Sequence, residues 1–191
     1  MIPRAKSTFI SFRTILQDHF LMNNTNDMTE VLERHPFTFA VVRHPFQRLV
    51  SAYLDFKTRS VNSANEAGKL ATGSFTQFLR NSVLKNNYSC THGGCASVNN
   101  HHWRSMDVTC SFCAINYTVI STMDTFGEDY ARISAKLGLQ KVKAERSNVH
   151  GGSKIEKLTA EHFKEVPENI KQKLRKIYEY DLKLFGFIDN I

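Results

Sequence analysis

Two stretches of this chain bring cations and hydroxyls together at spacings that suit an anionic ligand. In Ile2-Pro3-Arg4-Ala5-Lys6-Ser7-Thr8, the cations Arg4 and Lys6 and the hydroxyls of Ser7 and Thr8 lie just ahead of and on the first turn of a predicted helix. Open backbone N–H groups and the positive end of the helix dipole favour an anion there, and guanidinium, ammonium and hydroxyl groups complete its coordination. That is a phosphate cradle in outline, while Ser-Thr at a helix start is equally an ordinary N-cap. The glycine-rich Walker A pattern is absent, so nucleoside triphosphate hydrolysis has no support. The second stretch is Arg43-His44-Pro45-Phe46-Gln47-Arg48-Leu49-Val50-Ser51-Ala52-Tyr53. Arg43 follows a predicted buried strand, and Ser51 sits two helical turns further on. Ligands of α/β sheets gather at the carboxyl ends of strands. A guanidinium there holds a phosphate through two parallel N–H bonds, and a hydroxyl adds another. The plainer alternative is an arginine capping a carbonyl beside a surface serine.

The cysteines Cys90, Cys95, Cys110 and Cys113 form a third cluster, with His92, His101 and His102 among them. One reading is a zinc site. The other is a pair of local disulfides, Cys90–Cys95 and Cys110–Cys113, or crossed pairs, which would stiffen a loop with little regular structure. Sequons at Asn23-Asn24-Thr25, Asn87-Tyr88-Ser89 and Asn116-Tyr117-Thr118 would accept glycans in the secretory pathway, where the oxidised reading also belongs.

The elements that must position these residues follow from composition and pattern. With 191 residues, 41% hydrophobic and 23% charged, the chain can bury a core and is not a disordered sequence. Fourteen Phe against four Pro exclude a linker-like or collagen-like chain. The net charge of +7 points to anionic ligands: nucleic acid, phosphorylated cofactors or acidic polysaccharides. No apolar run approaches membrane-spanning length and no charged-then-apolar leader is present, so the chain as given is expected neither to span a membrane nor to carry a secretory signal. Apolar spacing predicts an amphipathic helix over Ser7 to Phe20 and a short one over Thr29 to Arg34. Phe37 to Val42 reads as a buried parallel strand rather than a half-exposed one. Phe46 to Phe56 is helical, with Pro45 in the first turn; Thr58 to Gly73 is a polar surface loop, and Phe75 to Lys85 is a helix. Ile115 to Ile120 is strand-like, and Asp124 to Leu137 is a helix stopped by Gly138. Lys141 to Lys154 reads as a basic loop, and a closing helix runs from Glu168 to Leu184 with Gly186 ending it. Helices alternating with a few strands predict an α/β fold, a short parallel sheet flanked by helices.

Arg-His-Pro-Phe-Gln-Arg-Leu-Val-Ser-Ala-Tyr resembles the 3′-phosphate-binding motif R-[DEH]-P-F-x-R-L-V-S-A-[YF] of the Golgi carbohydrate sulfotransferases. Ile2 to Thr8 resembles that family's 5′-phosphosulfate loop, [IV]-P-K-x-x-[CS]-T, with Arg4 at the lysine position and Lys6 as a further cation. His102-Trp103-Arg104, Cys110 with Cys113, Tyr117, and Tyr180-Asp181-Leu182-Lys183-Leu184-Phe185-Gly186-Phe187 are similar to its H-W-R-P-Q, C-x-x-C and D-F-x-L-F-G-Y landmarks, Ser105 and Met106 replacing Pro-Gln.

The resemblance implies one sulfotransferase domain over residues 1–191, of P-loop-like α/β fold with a disulfide-clipped insert. Ile2 and Pro3 leave no room for the strand that precedes such a loop, so that strand and any membrane anchor are expected outside this sequence. The implied reaction moves a sulfuryl group from 3′-phosphoadenosine 5′-phosphosulfate to a hydroxyl of a glycan or glycosaminoglycan, without metal, in the Golgi lumen, the full-length form being a type II membrane glycoprotein. By the same resemblance, Arg43 and Ser51 grip the 3′-phosphate and Arg4, Ser7 and Thr8 surround the 5′-phosphosulfate. Arg4 and Lys6 neutralise the leaving phosphate of an in-line transfer. His19 lies where related enzymes acting on heparan chains keep a catalytic histidine; Glu30 and Glu33 are the other candidate bases, and His102 would touch the acceptor or position a loop. Lys141, Lys143, Arg146 and Lys154 either close over the nucleotide, guide a polyanionic acceptor or form a solvated face, and Lys171, Lys173, Arg175 and Lys176 read mostly as the wet side of the closing helix. A glycan acceptor, and not a nucleic acid, is the expected partner. The competing readings are a nucleotide or glycan binder without turnover, because of Arg4, and a zinc-dependent nucleic-acid-binding module built on the cysteine–histidine cluster.

Overall fold

The β-branched pair Val41-Val42, preceded by Phe39 and Ala40, forms strand β1 (Phe39–Val42) in a computed structural model that describes residues 32–34, 37–62, 73–85, 102–110, 112, 115–138, 153–189 and 191. In chain order there follow α1 (Pro45–Asn62), α2 (Phe75–Phe78) running into a π-helical turn (Leu79–Leu84), and α3 (Met106–Thr109). After these come β2 (Val119–Thr122), α4 (Phe126–Lys136), α5 (Ser153–Lys164), α6 (Glu168–Ile177) and α7 (Glu179–Leu184). The chain divides into two compact units, Met1–Val42 with Thr109–Val149, and Arg43–Val108 with His150–Ile191. The α/β class with a short parallel sheet is as the sequence predicts.

In the first unit β1 and β2 pair in parallel, Phe39 beside Val119 and Val42 beside Thr122. A reciprocal threonine clasp opens the ladder: the Thr38 N–H donates to Thr118 Oγ1 at 3.3 Å and the Thr118 N–H to Thr38 Oγ1 at 3.1 Å. β1 is not the fully buried strand expected, for Ala40 and Val42 are buried while Phe39 is 42% exposed. With one neighbouring strand among the described residues, alternate side chains lack cover, and the strand takes the half-exposed pattern. β2 starts at Val119, later than the apolar run that predicted it, because residues 115–117 carry no regular structure. Thr125 turns the chain into α4, its hydroxyl donating to Asp129 at 2.7 Å and holding that carboxyl below its ordinary range. Gly138 stops the helix at φ +70°.

The second unit is helical and holds the larger core. Phe46, Leu49, Val50, Tyr53 and Phe56 of α1 face inward onto Phe75, Phe78 and Leu79, onto Ile155 and Phe163 of α5, and onto Ile170, Leu174 and Tyr178. α1 is longer than its apolar stripe, continuing through Asn62, so positions 58–62 are helical rather than loop. The Thr58 hydroxyl donates back to the Leu54 carbonyl at 2.9 Å, and the buried turns before it have already nucleated the helix. Ser74 begins α2 with a full capping box, donating and accepting with Gln77. α5 replaces the last residues of the predicted basic loop: Lys154 is exposed on its first turn, and Ile155, Leu158, Thr159 and Phe163 recur at helical spacing on its inner face.

The single closing helix expected over 168–184 is two helices, broken at Tyr178, whose φ −103° and ψ 16° leave the α region. The break turns Tyr178 and Asp181, both nearly inaccessible, into the core. Gly186 at φ +65° then ends α7 in a Schellman arrangement, the Phe187 N–H reaching the Leu182 carbonyl at 2.9 Å. A Cβ at Gly186 meets nothing within 4 Å, so the whole cost of Gly186→Ala is left-handed backbone. Replacement lowers stability by about 1–2 kcal/mol in urea denaturation. An unchanged midpoint would contradict that geometry.

Candidate functional site

The stretch from Arg43 to Tyr53 divides its residues between holding the fold and facing outward. Pro45 supplies the preset φ of the first helical residue and lacks the N–H that would have no partner there. His44 caps the helix: its Nδ1 accepts the Phe46 N–H at 3.3 Å, which leaves Nε2 protonated and donating to the Ile188 carbonyl at 2.8 Å. Phe46 and Phe187 flank the imidazole, with centroids 5.3 and 5.2 Å away. Phe46, Leu49 and Val50 are fully buried, and Tyr53 sends its hydroxyl to the Gly73 carbonyl at 3.0 Å.

Arg43 and Ser51 are the half-buried pair left beside this scaffold. Arg43 Nη1 donates to Ser51 Oγ at 3.3 Å across eight residues. A cation and a hydroxyl so placed, on a helix start and two turns along it, can share one oxyanion, the guanidinium by charge-assisted bonds and the hydroxyl by a shorter-reaching one. The structure thus brings together one of the two predicted sub-clusters. Arg4, Lys6, Ser7, Thr8 and His19, with Glu30, lie outside the described residues, as do Cys90, Cys95, Cys113, Lys141, Lys143 and Arg146. Glu33 is exposed on a helical turn at 32–34. No group of three or more His, Cys, Asp or Glu suited to a metal occurs among the described residues.

His102 is half-buried, its ring edge-on to Phe56 at 5.0 Å, and Trp103 behind it is 1% exposed against Phe78 and Phe56. The sequence assigned no role to the residues that fix this segment. Arg48 Nη2 donates to the Arg104 carbonyl, the Tyr178 hydroxyl donates to the Trp103 carbonyl, and the Asp181 carboxylate accepts the N–H groups of Met106 and Asp107 at 2.8 and 3.0 Å. Burial raises the Tyr178 hydroxyl well above its ordinary range. It raises the Asp181 carboxyl too, against the pull of the two N–H groups and Arg48. In the other unit, Tyr117 donates to the Cys110 carbonyl at 2.7 Å, and burial pushes its hydroxyl up to about 12, with Cys110 adding to the rise. Arg48 and Asp181 stand within two of the motifs that carry the resemblance, which marked them as part of a pattern without saying what they hold; Tyr178 had no signal beyond its helical spacing.

Comparison with known proteins gives this geometry its setting. The profile of the sulfotransferase family matches residues 3–188. Carbohydrate sulfotransferase 12 of Mus musculus is 27% identical over 180 residues, covering 78% of this chain and 39% of that protein. The protein of the same name from Xenopus laevis is 26% identical over 172 residues, with the same shares covered. The chain therefore spans about two-fifths of the length of the curated relatives it matches. No solved structure matches it.

Proposed function

We propose, from the premise that this chain belongs to the sulfotransferase family, that it is a carbohydrate sulfotransferase domain using 3′-phosphoadenosine 5′-phosphosulfate as donor. The observation that carries the reading is the contact between Arg43 and Ser51 at 3.3 Å, a ready seat for the 3′-phosphate. Arg4, Ser7 and Thr8 take the 5′-phosphosulfate in a P-loop-like cradle. In the transfer the acceptor oxygen forms a bond to sulfur as the bond from sulfur to the phosphate oxygen breaks. His19 takes the hydroxyl proton, and the departing 3′-phosphoadenosine 5′-phosphate keeps the electron pair, its growing charge met by Arg4 and Lys6. No metal takes part. The acceptor is a hydroxyl of a glycan or glycosaminoglycan, and the +7 net charge favours approach of a polyanionic chain. Residues 1–191 act as one domain, with a disulfide-clipped insert formed by Cys90, Cys95, Cys110 and Cys113.

Incubation of the chain with labelled donor and a panel of desulfated glycans tests this directly. Label appears in glycan and is insensitive to a chelator; no transfer to any acceptor in the presence of bound nucleotide would reduce the reading to a binder without turnover.

Residence in the Golgi lumen as part of a type II membrane protein completes the proposal. None of the described helices is long and apolar enough to cross a bilayer, so the anchor belongs to a segment other than these. Asn116 of the sequon Asn116-Tyr117-Thr118 is exposed and stands outside regular structure just ahead of β2, which suits a glycan acceptor. Secreted from animal cells, the Asn116→Gln variant shows one endoglycosidase-sensitive gel step fewer than the parent. Identical ladders would remove Asn116 as an acceptor.

A further inference from the structure

The stretch from Trp103 to Asp107 has no strand partner among the described residues, and α3, which begins in it, is only four residues long. Its backbone polar groups must nevertheless find partners when buried. Side chains provide them: Tyr178 for the Trp103 carbonyl, Arg48 for the Arg104 carbonyl, and Asp181 for the N–H groups of both Met106 and Asp107. These partners lie 56 to 75 residues away in sequence. Asp181 is 1% exposed, and a carboxylate is buried so deeply only where its acceptors are used.

We infer that Asp181 is a positioning residue for the sulfate transfer proposed above, fixing through Met106 and Asp107 the course of the segment that carries His102 and Arg104. It touches no substrate itself. The inference rests on the proposed function for its catalytic consequence, while its structural half can be read without any turnover. Arg48 extends the arrangement to α1, the helix that also bears Ser51, so the segment is tied to the same helix as the phosphate seat. An ionised carboxylate accepts all the N–H bonds at once. Asparagine of the same shape can keep one carbonyl where Oδ1 takes both N–H groups, but its NH2 then replaces Oδ2 and faces the Met106 N–H donor to donor, at the 2.8 Å where the carboxylate accepts.

Trp103 is the only tryptophan in the sequence and sits inside the clamped stretch, 1% exposed, which makes its emission a direct reporter. The experiment uses the full chain as wild type, Asp181→Asn and Asp181→Glu, with Trp103 emission, acrylamide quenching, far-ultraviolet circular dichroism, calorimetric titration with 3′-phosphoadenosine 5′-phosphate, and kcat and KM for sulfate transfer. Asp181→Asn is expected to keep helical content and nucleotide affinity within about twofold, to shift Trp103 emission to the red with easier quenching, and to lower kcat by about 100-fold, the scale of an ångström-sized misplacement. Asp181→Glu recovers part of both signals. Should Asp181→Asn not fold, an acid titration of the wild type decides instead. Asp181 is faced by Asp107, Arg48 and Tyr178, and its protonation costs an acceptor. Trp103 emission then moves in an acid step centred above the ordinary aspartate range, a step that Asp107→Asn lowers in midpoint but does not abolish. Unshifted emission in Asp181→Asn, or a kcat equal to wild type, overturns the inference. If the wild type transfers no sulfate, the proposed function fails, and the emission data alone then uphold or overturn the clamp.

Discussion

Arg43→Ala lowers affinity for 3′-phosphoadenosine 5′-phosphate by about 10- to 100-fold in calorimetric titration. The estimate takes the roughly 1.5–3 kcal/mol that hydrogen bonds to a charged group contribute. Arg43 stands at the start of α1 beside Ser51, at 3.3 Å, with neither side chain in the packed core. Its loss removes those ligand contacts, and circular dichroism of the variant verifies that the titration compares folded proteins. Arg43→Lys falls between, since an ammonium keeps the charge and gives up the two-pronged geometry. Ser51→Ala, losing one neutral bond of about 0.5–1.5 kcal/mol, costs affinity by about 2- to 12-fold. A wild-type titration curve from Arg43→Ala would mean that this pair is a capping contact and that the phosphate seat lies elsewhere.

The opposite partition holds one turn away. Phe46→Ala destabilises the protein by about 3–5 kcal/mol, the range for deleting a buried aromatic ring, and leaves the Arg43–Ser51 pair chemically intact. Phe46 is inaccessible, with Phe163 at 5.4 Å and Tyr178 edge-on at 6.2 Å, and it also supports the His44 ring that caps α1. Against a total stability of about 5–15 kcal/mol, that loss is large enough to appear as poor expression before any binding is measured. Equilibrium urea unfolding followed at Trp103 checks it, and a change under 1 kcal/mol would be incompatible with the packing described. The two substitutions separate the roles of a motif that is half scaffold and half ligand seat.

What the sequence disclosed and what it withheld divide along contact range. The start of α1 was legible because Pro45, Phe46, Leu49, Val50 and Tyr53 carry a local helical period, and the Arg43-to-Ser51 interval fits two turns of that helix. The stop at Gly138 was legible for the same local reason. Arg48 with Arg104, Asp181 with Met106, and His44 with Ile188 join residues 56, 75 and 144 positions apart, and such pairs leave no periodic trace. α5 had its signal in Ile155, Leu158, Thr159 and Phe163, but the lysines and Gly151-Gly152 ahead of it resembled a loop continuing. Nothing local marks the break at Tyr178, which has neither glycine nor proline; the core's demand for the Tyr178 hydroxyl and the Asp181 carboxylate sets it. The exposure of Phe39 depended on how many strands flank β1, a property of the sheet and not of the strand.

The tail beyond Gly186 also serves the opposite end of its unit. Ile188 receives the His44 imidazole, and Arg175 reaches both Asp189 and the Ile191 carbonyl at 2.6 Å. Proteolytic trimming from Ile188 onward would deprive the first turn of α1 of its anchor and so loosen Arg43, which is why an expression vector for this protein should spare those final positions and any clipping there should be watched by mass spectrometry.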